Sequence, residues 1–435
     1  METLTVAYFS MEFAVDPKMP TYSGGLGILA GDAMRAAADI DIPAVGITLL
    51  HRKGYFQQHL DSNGNQSESD VRWSPEAFLE LLSPRVLISI AGRQIQVQAW
   101  RYMVHGEFGG SVPVYFLDTS LPENSPEDQS LTDYLYGGDA HYRLCQEVIL
   151  SFAGVAMLRA LGYRVVQAYH MNEGHSALVT LALFEEQSWG RSLDAIGVAE
   201  REAVIQHCVF TTHTPLPMGH DEFPINLVRE ILGNERADFL MTSKCSPNGV
   251  LSMTDLAINF SCYINGVSMR HEDISRTIFP NHKVNSITNG VHAVTWTSPA
   301  FRRLYDRFIP QWRRDNLYLK YAIRIPLDEI RNTHTEAKQE LLTEVEQRTG
   351  MRLDPQVMTI GFARRATEYK RHDLLFYDLE QLRGIVRKGY PLQIIYGGKA
   401  HPRDEGGKAL IKNVCEAASA LKNCLPVVYL EEYDM

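Results

Sequence analysis

The sequence predicts an α/β fold in two domains, each built on a parallel sheet. Three observations carry that prediction. Apolar, strand-like runs alternate with helix-patterned stretches, the grammar of βαβ units whose strands are buried on both faces. A glycine-rich connection, Ser23-Gly24-Gly25-Leu26-Gly27, separates the first strand from the first helix. A charged, helix-favouring segment from Leu327 to Arg348 runs into Thr349-Gly350 and then a fresh apolar strand, so the alternation restarts there. The boundary is therefore placed near residue 350, with domains at 1–350 and 351–435.

The elements run in order along the chain. Leu4 to Ser10 (LTVAYFS) reads as a buried strand, Ile28 to Ile40 as an Ala-rich helix and Val45 to Leu50 as a second strand, which makes one βαβ unit. Arg85 to Ile90 and Ile95 to Tyr102 read as paired strands joined by Ala-Gly-Arg, and Val112 to Leu117 as another strand. From Tyr142 to Leu161 the apolar residues recur at helical spacing. Val165 to His170 and Cys208 to Thr212 read as strands ending in the polar clusters His170-Met171-Asn172-Glu173-Gly174-His175 and Thr211-Thr212-His213-Thr214-Pro215. The carboxyl ends of strands are where open α/β sheets bind ligands. The second domain reads as strand Val357 to Phe362, helix Asp373 to Arg387, strand Leu392 to Tyr396, helix Gly407 to Leu421 and strand Pro426 to Leu430. Three strands and two helices make half of a doubly wound domain.

Composition removes several function classes. The 435 residues carry 42 Lys plus Arg against 52 Asp plus Glu, a net charge of −10, so no global basic field exists for nucleic acid. No apolar run approaches the roughly 18 to 20 residues of a membrane span, and the N-terminal apolar stretch Leu4 to Val15 is broken by Glu12, which leads to the expectation of a cytoplasmic protein. The six cysteines are scattered without CxxC pairs, the pattern of reduced thiols rather than of a disulfide framework or a zinc site.

Three groups of residues could carry chemistry. The loop Ser23 to Gly27 precedes a helix N-terminus, so its amides and the helix dipole can receive an anion; it is neither GxGxxG nor a Walker A loop. Arg364-Arg365-Ala366-Thr367-Glu368-Tyr369-Lys370-Arg371 places four cations just after the first strand of the second domain, a local anion site in an acidic chain. His213 and Glu173 fall on neighbouring strand ends. His170, His175, His213 and His220 lack the helical spacing of HExxH, so no metal is assigned. No GxSxG elbow supports a serine nucleophile. Asn289-Gly290 in SITNGVH reads as a turn and then as a substrate loop.

YFSMEF, SGGLGILAGD, HMNEGHSAL, FTTHTPLP, SITNGVHAVTW, RRATEYKR, YGGKAHP and YLEEYDM, in this order over nearly the whole chain, resemble segments of the α-glucan phosphorylases, the glycogen and starch phosphorylase family. The resemblance implies two facing Rossmann-like domains of GT-B glycosyltransferase architecture, the second incomplete. It implies phosphorolysis, in which inorganic phosphate attacks the non-reducing end of an α-1,4-glucan and releases glucose 1-phosphate with retention. The implied cofactor is pyridoxal phosphate, serving through its phosphate group.

By motif, Gly24 and Gly25 would hold phosphate through backbone amides, and Arg365 and Lys370 would grip the substrate phosphate. Arg364 stands where the family usually has a lysine at the cofactor phosphate, and Tyr433 falls in a cofactor-binding segment. His213 resembles the residue that faces the reacting glucose, with Glu173, an Asp in longer members, orienting it. His175, Asn289 and Lys399 fall at substrate-binding positions. YLEEYDM precedes the glycine-rich segment in which the family carries its Schiff-base lysine, so no lysine here takes that role. A half-built sheet leaves an open edge, so a homodimer or a complementing C-terminal chain is the expected partner beside the glucan and phosphate. A nucleotide-sugar-dependent glycogen or starch synthase is the alternative enzyme, since it too pairs GGLG with an R-x4-K motif. A catalytically silent glucan-binding chain is the alternative outside catalysis.

Overall fold

A computed structural model describes residues 5–214, 220–243, 245–433 and 435. Leu4, Pro215, Leu216, Pro217 and Asp434, which belong to the strand and motifs named above, lie outside them. The chain divides into two compact units, Met1–Tyr55 with Arg72–His292, and Phe56–Val71 with Ala293–Met435. The long helix Leu327–Thr349, expected to close the first domain, thus belongs to the second unit.

In chain order the described strands are β1 (Thr5–Phe9), β2 (Ala44–Leu49), β3 (Gln57–Leu60), β4 (Gln66–Ser69), β5 (Glu80–Ile90), β6 (Arg93–His105), β7 (Ser111–Asp118), β8 (Val166–Asn172), β9 (Cys208–Thr212), β10 (Glu222–Pro224), β11 (Val250–Ser252), β12 (Tyr263–Gly266), β13 (Val284–Ser286), β14 (Met358–Ala363), β15 (Leu392–Gly397) and β16 (Val427–Leu430). Nine of them form the sheet of the first unit in the order β13-β12-β9-β8-β1-β2-β7-β6-β5. Pairing is parallel from β13 to β7 and antiparallel from β7 through β6 to β5. Successive residues of β1 explain its central place. Ala7 and Phe9 enter one buried cluster while Tyr8 enters another, so both faces of the strand are covered.

The first helix, α1, spans Gly25–Asp39 and begins three residues before the expected Ile28. Glycine's poor helix propensity hid that start. Packing explains it: a Cβ on Gly31 would lie 2.2 Å from the carbonyl oxygen of Ala14, and one on Gly27 would lie 2.7 Å from Cβ of Tyr22. The helix expected over 142–161 runs as Ala140–Val148 and Gly154–Ala160, with a wider π-type turn at Ile149–Ala153 between them. A Cβ on Gly154 would come within 2.7 Å of the Phe9 ring, so that turn seats a glycine on the central strand. Strands β5 and β6 extend beyond the apolar pattern and are joined through Ala91 and Gly92, both at positive φ (49° and 74°).

The second unit carries a parallel sheet in the order β14-β15-β16. Helices Leu379–Arg387 and Glu405–Leu421 contribute Leu382, Val414 and Leu421 to a core with Ile394, Tyr396 and Val427. Leu342 and Val345 of the long helix pack with Ile395, Val428 and Leu430. The hairpin β3–β4 belongs to this unit although it lies early in the chain. Among the described residues no helix is long and apolar enough to cross a membrane, no group of three or more His, Cys, Asp or Glu could hold a metal ion, and the six cysteines are free thiols.

Candidate functional site

In the first unit the carboxyl ends of β1, β8 and β9 lie side by side, Phe9 in register with Met171 and Asn172 with Thr211. The segments leaving these three strands therefore converge. After β1 come Ser10, Met11 and the buried Glu12. The Glu12 carboxylate accepts the backbone N–H of Ser23 (2.5 Å) and of Gly24 (3.2 Å) through Oε2, and the Tyr136 hydroxyl (2.9 Å) through Oε1. An anion thus already meets the amides of the glycine loop, from within the chain, at the positive end of α1. Gly25 differs from its neighbours, since a Cβ added there would meet nothing within 4 Å. Its backbone borders open space, while Gly24 is engaged by Glu12.

Glu173 follows β8 with φ of 80°, a left-handed backbone that side chains rarely adopt. Hydrogen bonds over-determine it: Oε2 accepts the His213 backbone N–H at 2.7 Å and Oε1 accepts the Gly174 N–H at 3.1 Å. Burial outweighs those bonds and pushes the carboxyl up to about 7. Glu173 therefore fixes the main chain of His213, whereas the imidazole is held by Asn172, whose Oδ1 lies 2.5 Å from Nε2. Burial pushes the His213 imidazole down to about 4, with further repulsion from His170 and His271, so the ring is neutral near pH 7.

Other expected residues of this unit have different tasks. His175 is buried, and its Nε2 accepts the Met11 N–H at 3.0 Å, which steers the chain from β1 toward Glu12. Asn289 is exposed, its N–H donating to the Val267 carbonyl at 3.1 Å. Its loop is fastened to α1 by His292, whose N–H meets Asp32 (3.0 Å) and whose Nε2 meets Asp39 (2.8 Å). Behind Tyr136, Arg143 packs over the ring at 4.8 Å and pairs with Asp221 (2.8 Å) and Glu147 (3.1 Å).

In the second unit, β14 ends at Ala363, and Arg364 and Arg365 follow as exposed side chains, with Lys370 partly exposed. Backbone bonds set this loop on the end of β15: Arg364 N–H to the Gly397 carbonyl (3.1 Å) and Ala366 N–H to the Lys399 carbonyl (2.9 Å). Neither Arg364 nor Lys370 forms a salt bridge with a described carboxylate, and the Lys370 ammonium lies 4.6 Å over the Tyr369 ring. Cations left without counterions can receive an anion. Tyr433 lies near them: burial pushes its phenol up while Arg365 acts the other way, and a Cβ on Gly397 would come 3.2 Å from the Cβ of Tyr433. These groups fit a phosphate. Lys399 is engaged elsewhere, its ammonium pairing with Glu432 (2.8 Å) and donating to the Phe56 carbonyl (3.0 Å).

Sequence reasoning assigned no role to Glu12, Ser10, Asn172 or Tyr136. The available signal for Glu12 was a carboxylate inside an apolar run, which burial allows only with hydrogen-bond partners. Asn172 gave no such signal.

The family model described as carbohydrate phosphorylase matches residues 232–435. The chain is 35% identical to a maltodextrin phosphorylase of Thermococcus litoralis and 33% identical to a glycogen phosphorylase of Mycobacterium tuberculosis, each over 99% of this chain and 55% of the relative. It is 30% identical to an uncharacterized protein of Methanocaldococcus jannaschii over 92% of this chain and 70% of that protein. The chain thus spans about half the length of the first two relatives.

Proposed function

Since this chain belongs to the carbohydrate phosphorylase family, we propose that it serves α-1,4-glucan phosphorolysis, transferring the terminal glucosyl unit of a maltodextrin or glycogen chain to inorganic phosphate. The observation that carries this from family to chain is the loop after β14, where neither Arg364 nor Lys370 forms an ion pair with a described carboxylate although the protein carries a net charge of −10. A phosphate dianion needs such compensation, because unit charges 4 Å apart attract by about 4 kcal/mol at an effective dielectric of about 20.

In this assignment Arg365 and Lys370 bind the substrate phosphate, and the open backbone at Gly25 lets an anion approach the first turn of α1. Neutral His213, held by Glu173 at its main chain, faces the sugar whose anomeric carbon gains positive charge in the transition state. Arg364 and Tyr433 would hold the phosphate of pyridoxal phosphate, which supplies a second phosphate for proton exchange when bound. The GT-B architecture and a cytoplasmic address belong to the same assignment.

The test is to incubate the protein, together with a C-terminal phosphorylase chain that supplies the Schiff-base lysine, with maltodextrin, inorganic phosphate and pyridoxal phosphate and follow the sugar phosphate by phosphorus NMR. α-Glucose 1-phosphate should form, and Arg365→Ala or Lys370→Ala should lower its rate by about 10²-fold or more. Transfer only from a nucleotide sugar would mean a synthase instead. Glucan binding without turnover would mean a silent binding chain.

A further inference from the structure

We infer that Asn172 is a positioning residue that locks the His213 imidazole in the tautomer with its proton on Nε2, so that Nδ1 is presented as a hydrogen-bond acceptor. The inference follows from the donors and acceptors along a chain of hydrogen bonds. Ser10 Oγ has one proton and gives it to the Glu12 carbonyl oxygen, 2.9 Å away. Toward Asn172, 3.1 Å away, Ser10 Oγ can then only accept, so the group facing it is the Asn172 amide nitrogen, Nδ2. That fixes the amide, and Oδ1 faces His213 Nε2 at 2.5 Å. An amide oxygen donates nothing, so the proton between them sits on Nε2.

The surroundings hold the imidazole neutral as well as oriented. Asn172 is fully buried, leaving its amide no solvated alternative. Glu173, the carboxylate bonded to this residue, is turned to the backbone N–H and not to the ring. Burial, and beyond it the neighbouring His170 and His271, oppose a second proton on the ring. An aspartate in place of Asn172 would pull the ring toward the imidazolium form, whereas the amide selects a tautomer without selecting a charge. The same bonds run on through Glu12 to Ser23 and Gly24, so the imidazole and the glycine loop share one rigid frame.

As a statement about the tautomer this stands alone; as a statement about catalysis it rests on the assignment of His213 to the sugar. Two-bond proton–nitrogen NMR correlation on protein labelled with 15N-histidine reads the tautomer directly, the His213 signals being identified by their loss in His213→Gln. At pH 7 the wild type should show a protonated Nε2 and a bare Nδ1. Asn172→Ala should give averaged nitrogen shifts from both tautomers, Ser10→Ala a partial loss of the same preference, and Asn172→Asp an imidazole pKa raised by about 1 to 3 units. A wild-type proton on Nδ1 overturns the inference whether or not any variant folds, and so does an Asn172→Ala spectrum identical to wild type. If turnover is present, Asn172→Ala should lower kcat by about 10²-fold with the KM for phosphate little changed. Unchanged kcat would remove the catalytic part alone. Absent turnover with Nε2 protonated would remove the phosphorylase assignment and leave the tautomer lock.

Discussion

Gly25 and Gly31 lie six residues apart on one helix, and different demands hold them there. A Cβ at Gly31 would sit 2.2 Å from the Ala14 carbonyl oxygen, a contact with backbone that cannot swing aside. Gly31→Ala should therefore destabilise the first unit by about 1 to 3 kcal/mol. At Gly25 the same methyl meets nothing within 4 Å, and alanine is the better helix former by at most about 1 kcal/mol. Gly25→Ala should leave the unfolding midpoint unchanged or raised, while weakening the binding of inorganic phosphate measured by calorimetry. A Gly25→Ala protein that loses stability and keeps phosphate would reverse the two roles. The sequence showed the glycine loop and the nearness of Glu173 to His213, because strand ends in a parallel sheet can be read from apolar runs. It did not show which atom meets which. A carboxylate beside a histidine suggests an imidazole partner, yet the backbone N–H takes Glu173 and a neutral amide takes the ring. That choice depends on the positive φ of Glu173, which no local propensity favours.

Parallel strands were legible as elements for the reason that makes them stable: β1 and β2 are buried almost throughout, so their sequences are apolar without alternation. The hairpin β3–β4, with QQHL and QSES, was illegible because its strands are polar and its partner is distant in sequence. What orders it is a buried amide clasp. Gln66 accepts the Ala400 N–H at 3.0 Å and donates to the Ala400 carbonyl at 2.8 Å, and Gln58 donates to Gln66 (3.0 Å) and to the Gly398 carbonyl (2.9 Å). Lys408 adds an ion pair to Glu68 at 3.1 Å. Gln66→Ala strips partners from both backbone groups of Ala400, and each buried orphan costs about 1 to 3 kcal/mol. The second unit should lose about 2 kcal/mol or more in urea unfolding. Hydrogen exchange at the Ala400 amide should accelerate by an order of magnitude or more. Unchanged exchange at that amide would mean that the hairpin is a passenger on the unit. Because residues 397–400 also carry the backbone bonds of Arg364 and Ala366, loosening the clasp should weaken phosphate binding by the cationic loop.

At the scale of the whole molecule, the buried titratable groups make stability depend on pH in a direction that can be worked out. Burial pushes the imidazoles of His51, His170, His213 and His372 down to about 4 and that of His175 to about 3. Between those values and the ordinary 6.5, the unfolded chain binds a proton at each site that the folded chain refuses. Folding is then favoured by raising the pH, and the full contribution is present above 6.5. Two carboxyls act the other way. Glu173, raised to about 7, and Glu147, held well above its usual value by burial and by Asp221, stay protonated in the fold where the unfolded chain has released the proton. Near pH 5.5 the histidines outnumber the two carboxyls, so the unfolded state holds more protons and stability falls on acidification, by about 1.36 kcal/mol per pH unit for each proton in excess. The urea midpoint should fall steeply as the pH drops from 6.5 toward 4.5, and above 7, where the histidines are neutral in both states, the two carboxyls should make it decline gently as the pH rises. Glu173→Gln removes one of the opposing protons and should steepen the fall by about one proton's worth, which distinguishes this balance from a general loss of surface ion pairs. A midpoint that rose on acidification would mean that the histidines are protonated in the fold, and a neutral His213 held by Asn172 could not survive that result.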